Sequence, residues 1–394
     1  MRIAFVIPYF YPALQYGGTP RVAYEFARGL VRRGHEVSVL TTDSAGEKRI
    51  KKDSASRNPG LEGIRISYYP NVSNYLAYRQ RLFFPVQLFR NIHHDLSSAE
   101  VVHIHEFRSL LSVAAHSAAQ RLNTPYVLSP HGGLQRLGKE KQKSLFDRLW
   151  GNQILQDASA VCAVSHLEMQ DAKQFGIEED RICLLPNPID EDCFENLPEP
   201  GKFIERWNLG GKRILLFLGR LHWIKGVDVL IDALKLLVDI PGVHLVIAGP
   251  DDGAGQALRA QVAGKEISDK ITFTGFLDDT EKLQALVDSE LVVIPSRREG
   301  FPGTALEALA AAKPLVLSSM SGTVDWNAAR PAITVFENGN VQDLALKLRT
   351  LLKSGPTRQD LVNARNSVLR DFSTDALAAR AEAVYESVLC VKTA

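Results

Sequence analysis

Short apolar runs alternate with amphipathic stretches along almost the whole chain. The run RIAFVIPY predicts a buried strand, PRVAYEFARGLVRRG has the period of a helix, and HEVSVLTT predicts the next strand. Pro20 suits the first turn of that helix and Gly34 its end. Further strands are predicted at VVHIH, PYVLSP, AVCAVS and RICLLPNP. Strands that alternate with helices indicate parallel sheets with crossover helices.

The alternation stops at ENLPEPGKFIERWNLGGK, which is rich in proline, glycine and charge, and then starts again. Strands are predicted at RILLFLGR, VHLVIAGP, KITFTGF, LVVIPS, PLVLSS and ITVF, and helices at VDVLIDALKLLVD and TALEALAAA. We therefore predict an α/β protein with two Rossmann-like domains. The expected bounds are 1–195 for the first domain, 196–211 for a linker and 212–372 for the second domain. A last helix, 373–394, is expected to pack back on the first domain.

The composition is that of an ordinary globular protein. The chain has 394 residues, of which 45% are hydrophobic and 23% charged, and its formal net charge is +1. The four cysteines lack metal-ligand or CxxC spacing, which predicts reduced thiols in a cytoplasmic protein. Pro8 interrupts the first apolar run, so no signal peptide is predicted, and no apolar run is long enough to span a membrane.

The charge is unevenly distributed. Residues 1–150 carry roughly ten more basic than acidic side chains, and the remainder is acidic by a similar margin. Since no nucleic-acid-binding motif accompanies the basic half, no nucleic acid partner is expected. Residues 75–94 mix Arg79, Arg81 and Arg90 with Tyr, Phe and Leu, and Pro85 divides them. This stretch is either an ordinary helix pair or a surface for peripheral, salt-reversible contact with an anionic membrane.

Glycines and a histidine follow predicted strands of the first domain, where such sheets bind ligands. Gly17 and Gly18 precede Thr19, the predicted N-cap of a helix, without matching the dinucleotide pattern G-x-G-x-x-G. His131 precedes two glycines and is either structural or a ligand contact. His103 and His105 share one strand face, but no acidic or cysteine cluster completes a metal site, so no metal is predicted.

Charged residues follow the strands of the second domain. Arg220 follows RILLFL, and Lys225 and Gly226 lead into the next helix. The two cations are either solvated surface charges or the binding site of a diphosphate. Downstream, SRREGFPGTALEALAAAKPLV contains Glu299 and Glu307.

A capping box of Thr304 and Glu307 would explain the second of these acids but not the first. The glycine-rich turn and helix N-terminus that follow Glu299 form an anion site. Carboxylates also accept hydrogen bonds from sugar hydroxyls.

The set GRLHWIKG, TFTGFLDD and PSRREGFPGTALEALAAAKPLV resembles the family 4 glycosyltransferases, and so does the amino-terminal strand, glycine loop and helix. The resemblance covers almost the whole chain. It implies the GT-B fold, in which two Rossmann-like domains face each other across a cleft. It also implies a retaining hexosyltransferase that uses a UDP- or GDP-linked sugar, needs no cofactor or metal, and glycosylates a glycan or lipid-linked saccharide.

The resemblance further implies residue roles. Arg220 and Lys225 would neutralise the diphosphate leaving group, Glu299 would bind the transferred sugar, and Glu307 would bind the ribose. His131 would contact the sugar near the reacting carbon. With Arg220, Lys225, Glu299 and Glu307, the expected donor contacts are Gly17, Gly18, Gly226, Phe276, Leu277, Phe301, Pro302, Gly303 and Thr304. Pro302 departs from the family's glycine and removes one backbone donor.

Two other functions stay open. Nucleotide-sugar 2-epimerases share the two-domain architecture, and a non-catalytic partner of a glycan assembly complex could retain a nucleotide site. The four charged residues favour transfer over both. The expected location is the cytoplasm, with possible peripheral attachment to the inner face of the cell membrane.

Overall fold

The chain divides into two compact units. The computed structural model describes residues 1–50, 61, 63–264, 266–324, 326 and 329–393. Unit 1 consists of Met1–Pro188 and Ser373–Ala394, and unit 2 consists of Ile189–Phe372. Each unit is built on its own parallel sheet. The prediction of an α/β protein with two Rossmann-like domains is therefore confirmed.

Unit 1 contains a parallel sheet with strand order β5-β2-β1-β6-β7-β8-β9. A separate antiparallel pair joins β3 and β4. The strands are β1 (Arg2–Val6), β2 (Glu36–Thr42), β3 (Ser44–Ala45), β4 (Lys48–Arg49), β5 (Ile64–Tyr69), β6 (Val101–His105), β7 (Tyr126–Ser129), β8 (Ala160–Ala163) and β9 (Ile182–Leu184). Successive strands are added on one side of β1 and then on the other. The switch point of this sheet therefore lies between β1 and β6.

Helices connect the strands of unit 1. They are Thr19–Arg32, Asn74–Gln80, Val86–Leu96, Leu110–Leu122, Glu140–Phe146, Asn152–Asp157, His166–Gln174 and Thr374–Thr393. Every residue of β6, β7 and β8 is buried, as expected for central strands that are covered on both faces. The first helix ends at Arg32, and Gly34 follows with φ 87°, which agrees with the predicted glycine stop.

The carboxyl-terminal helix Thr374–Thr393 packs against the helix Thr19–Arg32. At Gly29 a side-chain carbon would lie 2.6 Å from the Cβ of Ala378, so only glycine permits this close approach. Glu382 accepts hydrogen bonds from Arg33 at 2.6 Å and contacts His35 at 2.9 Å. The last helix is thus part of unit 1 although the whole of unit 2 precedes it in the sequence.

Unit 2 contains a second parallel sheet, with strand order β12-β11-β10-β13-β14-β15. Its strands are β10 (Arg213–Leu218), β11 (Val243–Ala248), β12 (Ile271–Gly275), β13 (Leu291–Ile294), β14 (Leu315–Ser318) and β15 (Ile333–Phe336). Its helices are Asp192–Glu195, Lys202–Arg206, Val227–Lys235, Gly255–Val262, Asp279–Asp288, Gly303–Ala310, Val341–Lys353 and Arg358–Asp371. The switch point lies between β10 and β13.

The stretch 196–211, expected to be a linker, belongs to unit 2. The carboxylate of Asp288 accepts hydrogen bonds from the amides of Gly201, Phe203 and Ile204 at 2.6–3.1 Å. The side chain of Phe203 is buried. Proline and glycine here form the turn before a short packed helix, and the amino-terminal segment of unit 1 ends at Pro188 rather than at 195.

Candidate functional site

The candidate site of unit 2 lies at the carboxyl ends of β10 and β13, on either side of the switch point. The loop after β10 carries Arg220 and Lys225, and the loop after β13 carries Glu299. Open α/β sheets bind ligands at this position because the connections leave the sheet in opposite directions there. The topology therefore brings together charges that are far apart in the sequence.

Lys225 and Glu299 form an ion pair across this switch point. The Nζ atom of Lys225 lies 2.5 Å from Oε2 of Glu299, and the hydroxyl of Ser296 donates to the same oxygen at 3.0 Å. The two charged side chains are only 19% and 18% exposed. They neutralise each other in a partly buried setting, where charge interactions are stronger than on an open surface.

The backbone holds Glu299 in place from both sides. Its amide donates to the carbonyl of Met320 at 3.0 Å, and its carbonyl accepts the amide of Gly322 at the same distance. Arg297 nearby is fixed by Asp228, with two contacts of 2.6 and 2.8 Å. The Arg297 guanidinium also holds the pKa of Asp228 below its ordinary value. Glu299 therefore extends from a rigid loop.

Gly226 lets the two strand-end loops touch. Its φ is 64°, and a side-chain carbon there would lie 2.1 Å from the carbonyl oxygen of Pro295. Only glycine combines that backbone conformation with that approach. Gly226 also immediately precedes the helix Val227–Lys235. Its expected role as a donor contact stays a prediction, whereas its structural role is evident.

Arg220 is close to Lys225 in the sequence but pairs with a different acid. Its guanidinium contacts the carboxylate of Asp252 in the loop after β11. The side chain of Arg220 is 34% exposed, and that of Asp252 is 42% exposed. An exposed pair of this kind contributes little stability, so Arg220 can exchange its partner for a ligand at low cost.

The capping box expected at Thr304 and Glu307 is wrong. The helix begins at Gly303 with Pro302 as its N-cap, and the described residues provide no side-chain cap. The Thr304 hydroxyl donates instead to the carbonyl of Leu218 at 3.4 Å. Proline in extended conformation places the helix start earlier than the Thr-x-x-Glu pattern indicated. Glu307 is therefore left without a capping role.

Glu307 pairs with Lys282, a residue that the sequence did not single out. The Nζ atom of Lys282 lies 2.7 Å from Oε1 of Glu307, and each side chain is 19% exposed. Lys282 lies on the helix Asp279–Asp288, which follows β12. Unit 2 thus presents a second partly buried acid–base pair, which joins the helices Asp279–Asp288 and Gly303–Ala310.

The remaining expected contacts of unit 2 differ in accessibility. The side chain of Phe301 is buried and lies against Phe372, with ring centroids 5.6 Å apart, so its side chain is not available to a ligand. Within the described part of the chain, a side-chain carbon at Gly303 would meet no atom within 4 Å. Phe276, after β12, is 68% exposed, and Leu277 is half-buried. An exposed aromatic ring at a strand end is suited to stacking on a planar ligand.

In unit 1, the expected glycine loop leads into the first helix. Gly17 has φ 108°, a conformation that favours glycine, and Gly18 is the N-cap of the helix Thr19–Arg32. The N-cap predicted at Thr19 is therefore one residue too late. No atom of the described residues lies within 4 Å of the position that a side chain on Gly18 would occupy. The first turn carries no acid, so its amides can face an anion.

His131 follows β7 and has φ 52°, an uncommon backbone conformation for a residue with a side chain. Its Nε2 atom lies 2.9 Å from Nδ1 of His105 at the end of β6. Burial lowers the pKa of His131 to about 4. The imidazole is therefore neutral at pH 7.

The loop that carries His131 is anchored by Glu168, which the sequence analysis did not identify. Its carboxylate accepts hydrogen bonds from the amides of Gly132 at 2.5 Å and Val164 at 2.9 Å. Burial raises the pKa of Glu168 to about 7. The pattern Ser165-x-x-Glu168 looks like an ordinary helix cap, which conceals this role.

His103 and His105 lie on one strand face, with ring centroids 4.0 Å apart. The ring nitrogens of His103 contact the hydroxyls of Tyr385 and Ser129, each at 2.7 Å. In the described part of the chain, no group of three or more His, Cys, Asp or Glu side chains is arranged to hold a metal ion. The expectation that the protein uses no metal stays a prediction.

Two family models match the chain, one on each side of residue 200. The model described as Glycosyltransferase Family 4 matches residues 16–192, and the model described as Glycosyl transferases group 1 matches residues 202–367. An uncharacterized glycosyltransferase of Methanocaldococcus jannaschii is 26% identical, with 98% of each chain aligned. Glycogen synthase of Mycobacterium tuberculosis is 27% identical over 98% of this chain and 94% of its own.

Solved structures with the same fold include HepE of Anabaena in complex with UDP and glucose. It superimposes with a TM-score of 0.79 at 19% identity, over 98% of this chain and all of its own. The same protein was also solved with UDP-glucose. This likeness shows a shared GT-B-type fold.

Proposed function

This chain belongs to the family 4 glycosyltransferases, and from that premise we propose that it transfers a hexosyl group from a UDP- or GDP-linked donor with retention of configuration. The acceptor is a glycan or a lipid-linked saccharide in polysaccharide or glycoconjugate synthesis. The relatives' names support transfer to saccharides, and the UDP and UDP-glucose complexes of HepE support a uridine donor.

The observation that carries this proposal is the Lys225–Glu299 ion pair at the switch point of unit 2. A bound diphosphate attracts the ammonium of Lys225 away from Glu299. The Glu299 oxygen that Lys225 had contacted then accepts a hydrogen bond from a sugar hydroxyl. Arg220 exchanges Asp252 for a phosphate oxygen in the same way, with two parallel hydrogen bonds. Donor binding thus replaces two ion pairs within the protein.

The reaction follows from these contacts. The bond between the anomeric carbon and the diphosphate oxygen breaks, and negative charge develops on that oxygen. Lys225 and Arg220 stabilise this charge, which is the main electrostatic contribution available here. The acceptor hydroxyl forms the new bond to the anomeric carbon and passes its proton to the leaving phosphate. Attack and departure on one face of the sugar retain the configuration.

Other residues bind parts of the donor that do not react. Glu307 accepts hydrogen bonds from the ribose hydroxyls, and Phe276 and Leu277 contact the base. The amides of Phe301, Gly303 and Thr304 face the donor sugar, whereas Pro302 contributes none. In unit 1 we assign ligand contacts to Gly17, Gly18 and His131. No metal ion is part of this mechanism.

Two experiments separate transfer from its alternatives. A panel of UDP- and GDP-hexoses is screened by thermal shift, and nucleotide release is then measured with and without saccharide acceptors. Acceptor-dependent release of UDP or GDP supports the transferase. Release without acceptor, together with a 2-epimerised sugar, indicates the epimerase, and nucleotide binding without any turnover indicates the non-catalytic partner.

The location is proposed to be the cytoplasm, with unit 1 attached peripherally to an anionic membrane. Among the described residues, no helix could cross a bilayer. The stretch 75–94 buries some apolar side chains but exposes Tyr75, Leu76 and Phe84 by 60%, 42% and 45%. Lys139, whose Nζ donates to Gln80 at 3.2 Å, connects this stretch to a helix that exposes Leu145. Arg79 of this stretch pairs with Glu47 at 2.8 Å, so the proposed membrane contact rests on the exposed apolar side chains and on the overall basic charge of residues 1–150.

Co-sedimentation with liposomes tests the attachment. Wild-type protein should sediment with anionic but not neutral liposomes at low salt and dissociate at high salt, because screening shortens the range of charge attraction. Leu145→Ser together with Tyr75→Ser should weaken sedimentation. Leu346→Ser is the matched control, because Leu346 is equally exposed but lies in unit 2. Equal sedimentation of all variants would contradict the proposed surface.

A further inference from the structure

A buried histidine pair joins the ends of two neighbouring strands in unit 1. His105 ends β6, and His131 follows β7. The Nδ1 atom of His105 lies 2.9 Å from Nε2 of His131, and the two rings are nearly parallel, with centroids 5.2 Å apart. At this distance one nitrogen donates a proton and the other accepts it. The direction of that bond determines which nitrogen of His131 faces a ligand.

The other nitrogen of His105 shows which direction is favoured. Its Nε2 atom is fully buried and has no hydrogen-bond partner in the described part of the chain. The His105 ring packs against the rings of Phe5 and His103, with centroid distances of 4.7 and 4.0 Å. His103 cannot serve as its partner, because both of its nitrogens already contact Tyr385 and Ser129.

Placing the proton of His105 on Nε2 would leave an N–H group buried without an acceptor, which proteins strongly avoid. With the proton on Nδ1, Nε2 has only a lone pair without a partner. The Nδ1–H group then donates the hydrogen bond to His131. Burial keeps His105 neutral, since it lowers its pKa well below the ordinary value. One proton is therefore available to His105, and Nδ1 is the better position.

We infer that His105 is a positioning residue that donates its Nδ1–H to Nε2 of His131 and so fixes the proton of His131 on Nδ1. Among the described residues, this is the only hydrogen bond to the His131 ring. The Nδ1–H group of His131 therefore remains available as a neutral donor. It can bind a hydroxyl or phosphate oxygen, but it has no free lone pair with which to act as a base.

The backbone also fixes the orientation of the His131 Nδ1–H group. Glu168 holds the amide of Gly132, and His131 itself has a left-handed backbone conformation. The ring is thus restrained at both ends, by Glu168 through the loop and by His105 through the ring. The inference that the Nδ1–H group of His131 faces a nucleotide sugar rests on the proposed function. The inference about the tautomer of His131 does not.

Histidine ring nitrogen NMR of the full chain tests the tautomer directly. Protein labelled with ¹⁵N in its ten histidines is measured without ligand at pH 7.5, and the His131 signals are assigned by their loss in His131→Asn. We expect Nδ1 of His131 at the shift of a protonated nitrogen and Nε2 at that of an unprotonated one. The reverse pattern would overturn the inference, and this measurement requires no variant of His105.

Variants of His105 test the positioning role. His105→Asn retains an N–H group near the Nδ1 position and should keep the His131 tautomer. His105→Phe has no N–H group there, so the His131 tautomer should no longer be fixed and turnover of the nucleotide sugar should fall about tenfold. An unchanged His131 tautomer in His105→Phe would refute the role. A wild-type protein that turns over no nucleotide sugar but shows the expected tautomer would refute the proposed function alone.

Discussion

The Nζ atom of Lys225 lies 2.5 Å from Oε2 of Glu299, although the two residues are 74 positions apart and follow different strands. This pair is formed because β10 and β13 are neighbours at the switch point of the sheet in unit 2. Each residue neutralises the other, and in the proposed function each binds a different part of the donor.

Removal of either cation should impair catalysis without unfolding the protein. Lys225→Ala and Arg220→Ala each lose one charge-assisted phosphate contact, which costs roughly 1.5–3 kcal/mol. Donor kcat/KM should fall by about one to two orders of magnitude. Lys235→Ala is the matched control, since Lys235 pairs with Asp232 at 2.5 Å on a neighbouring helix. Wild-type turnover in both site variants would contradict the assignment.

Glu299→Gln should reduce sugar transfer far more than nucleotide binding. The amide still accepts a hydrogen bond from the sugar, but it carries no charge to balance Lys225. UDP affinity should therefore be retained or increase, because Lys225 no longer has a competing partner. Steady-state transfer and UDP titration are compared, with Glu290→Gln as the control. A parallel loss of both quantities would show that Glu299 has no separate sugar-binding role.

Glu307→Ala should lose recognition of the ribose. In wild-type protein, a donor that lacks the ribose hydroxyls should bind about tenfold more weakly than the natural donor. The variant should bind both donors equally. Thermal stability should change little, because Lys282, the ion-pair partner of Glu307, keeps Asp279 as a second partner at 3.2 Å. Retained discrimination in Glu307→Ala would assign the ribose to another residue.

The buried histidines should make unit 1 sensitive to acid. His131 and His103 have pKa values of about 4 and 3 in the folded protein, against an ordinary value of 6.5. The unfolded chain therefore binds more protons below pH 6.5, and the free energy of unfolding should fall as the pH is lowered from 6.5 toward 4.

Glu168 acts in the opposite direction. Its folded pKa of about 7 lies above its ordinary value of 4.5, so its contribution falls as the pH rises between these values. Since three buried histidines with lowered pKa values, His103, His105 and His131, oppose one carboxyl, loss of stability on acidification should dominate below pH 6. Urea unfolding of wild type and His131→Asn between pH 7.5 and 5 checks this. The variant should take up about one proton fewer on unfolding, and identical pH profiles would contradict the buried neutral state.

Much of the fold could be predicted because buried parallel strands are continuous apolar runs, as in β8 and β13. The strand β5 was not predicted, although IRISYY alternates apolar and polar residues as a half-buried strand does. The helix start at Gly303, after the N-cap Pro302, was missed because Thr304 and Glu307 fit a capping pattern that the backbone does not use.

The partners of the site residues could not be predicted. Lys282 is 25 positions from Glu307, and Glu168 is 36 positions from Gly132, so only the folded topology brings them together. The types of charged residue at the strand ends were visible in the sequence. Which charge neutralises which depends on side-chain packing across the sheet.

Nucleotide titration calorimetry tests the central claim most directly, because that claim concerns diphosphate binding by Lys225 at the switch point of unit 2. UDP and GDP are titrated into wild type, Lys225→Ala and Lys235→Ala. We expect wild type and Lys235→Ala to bind at least one of the two nucleotides with equal affinity, and Lys225→Ala to bind it at least about tenfold more weakly. Equal affinity in all three proteins, or no binding of either nucleotide to wild type, would contradict the account.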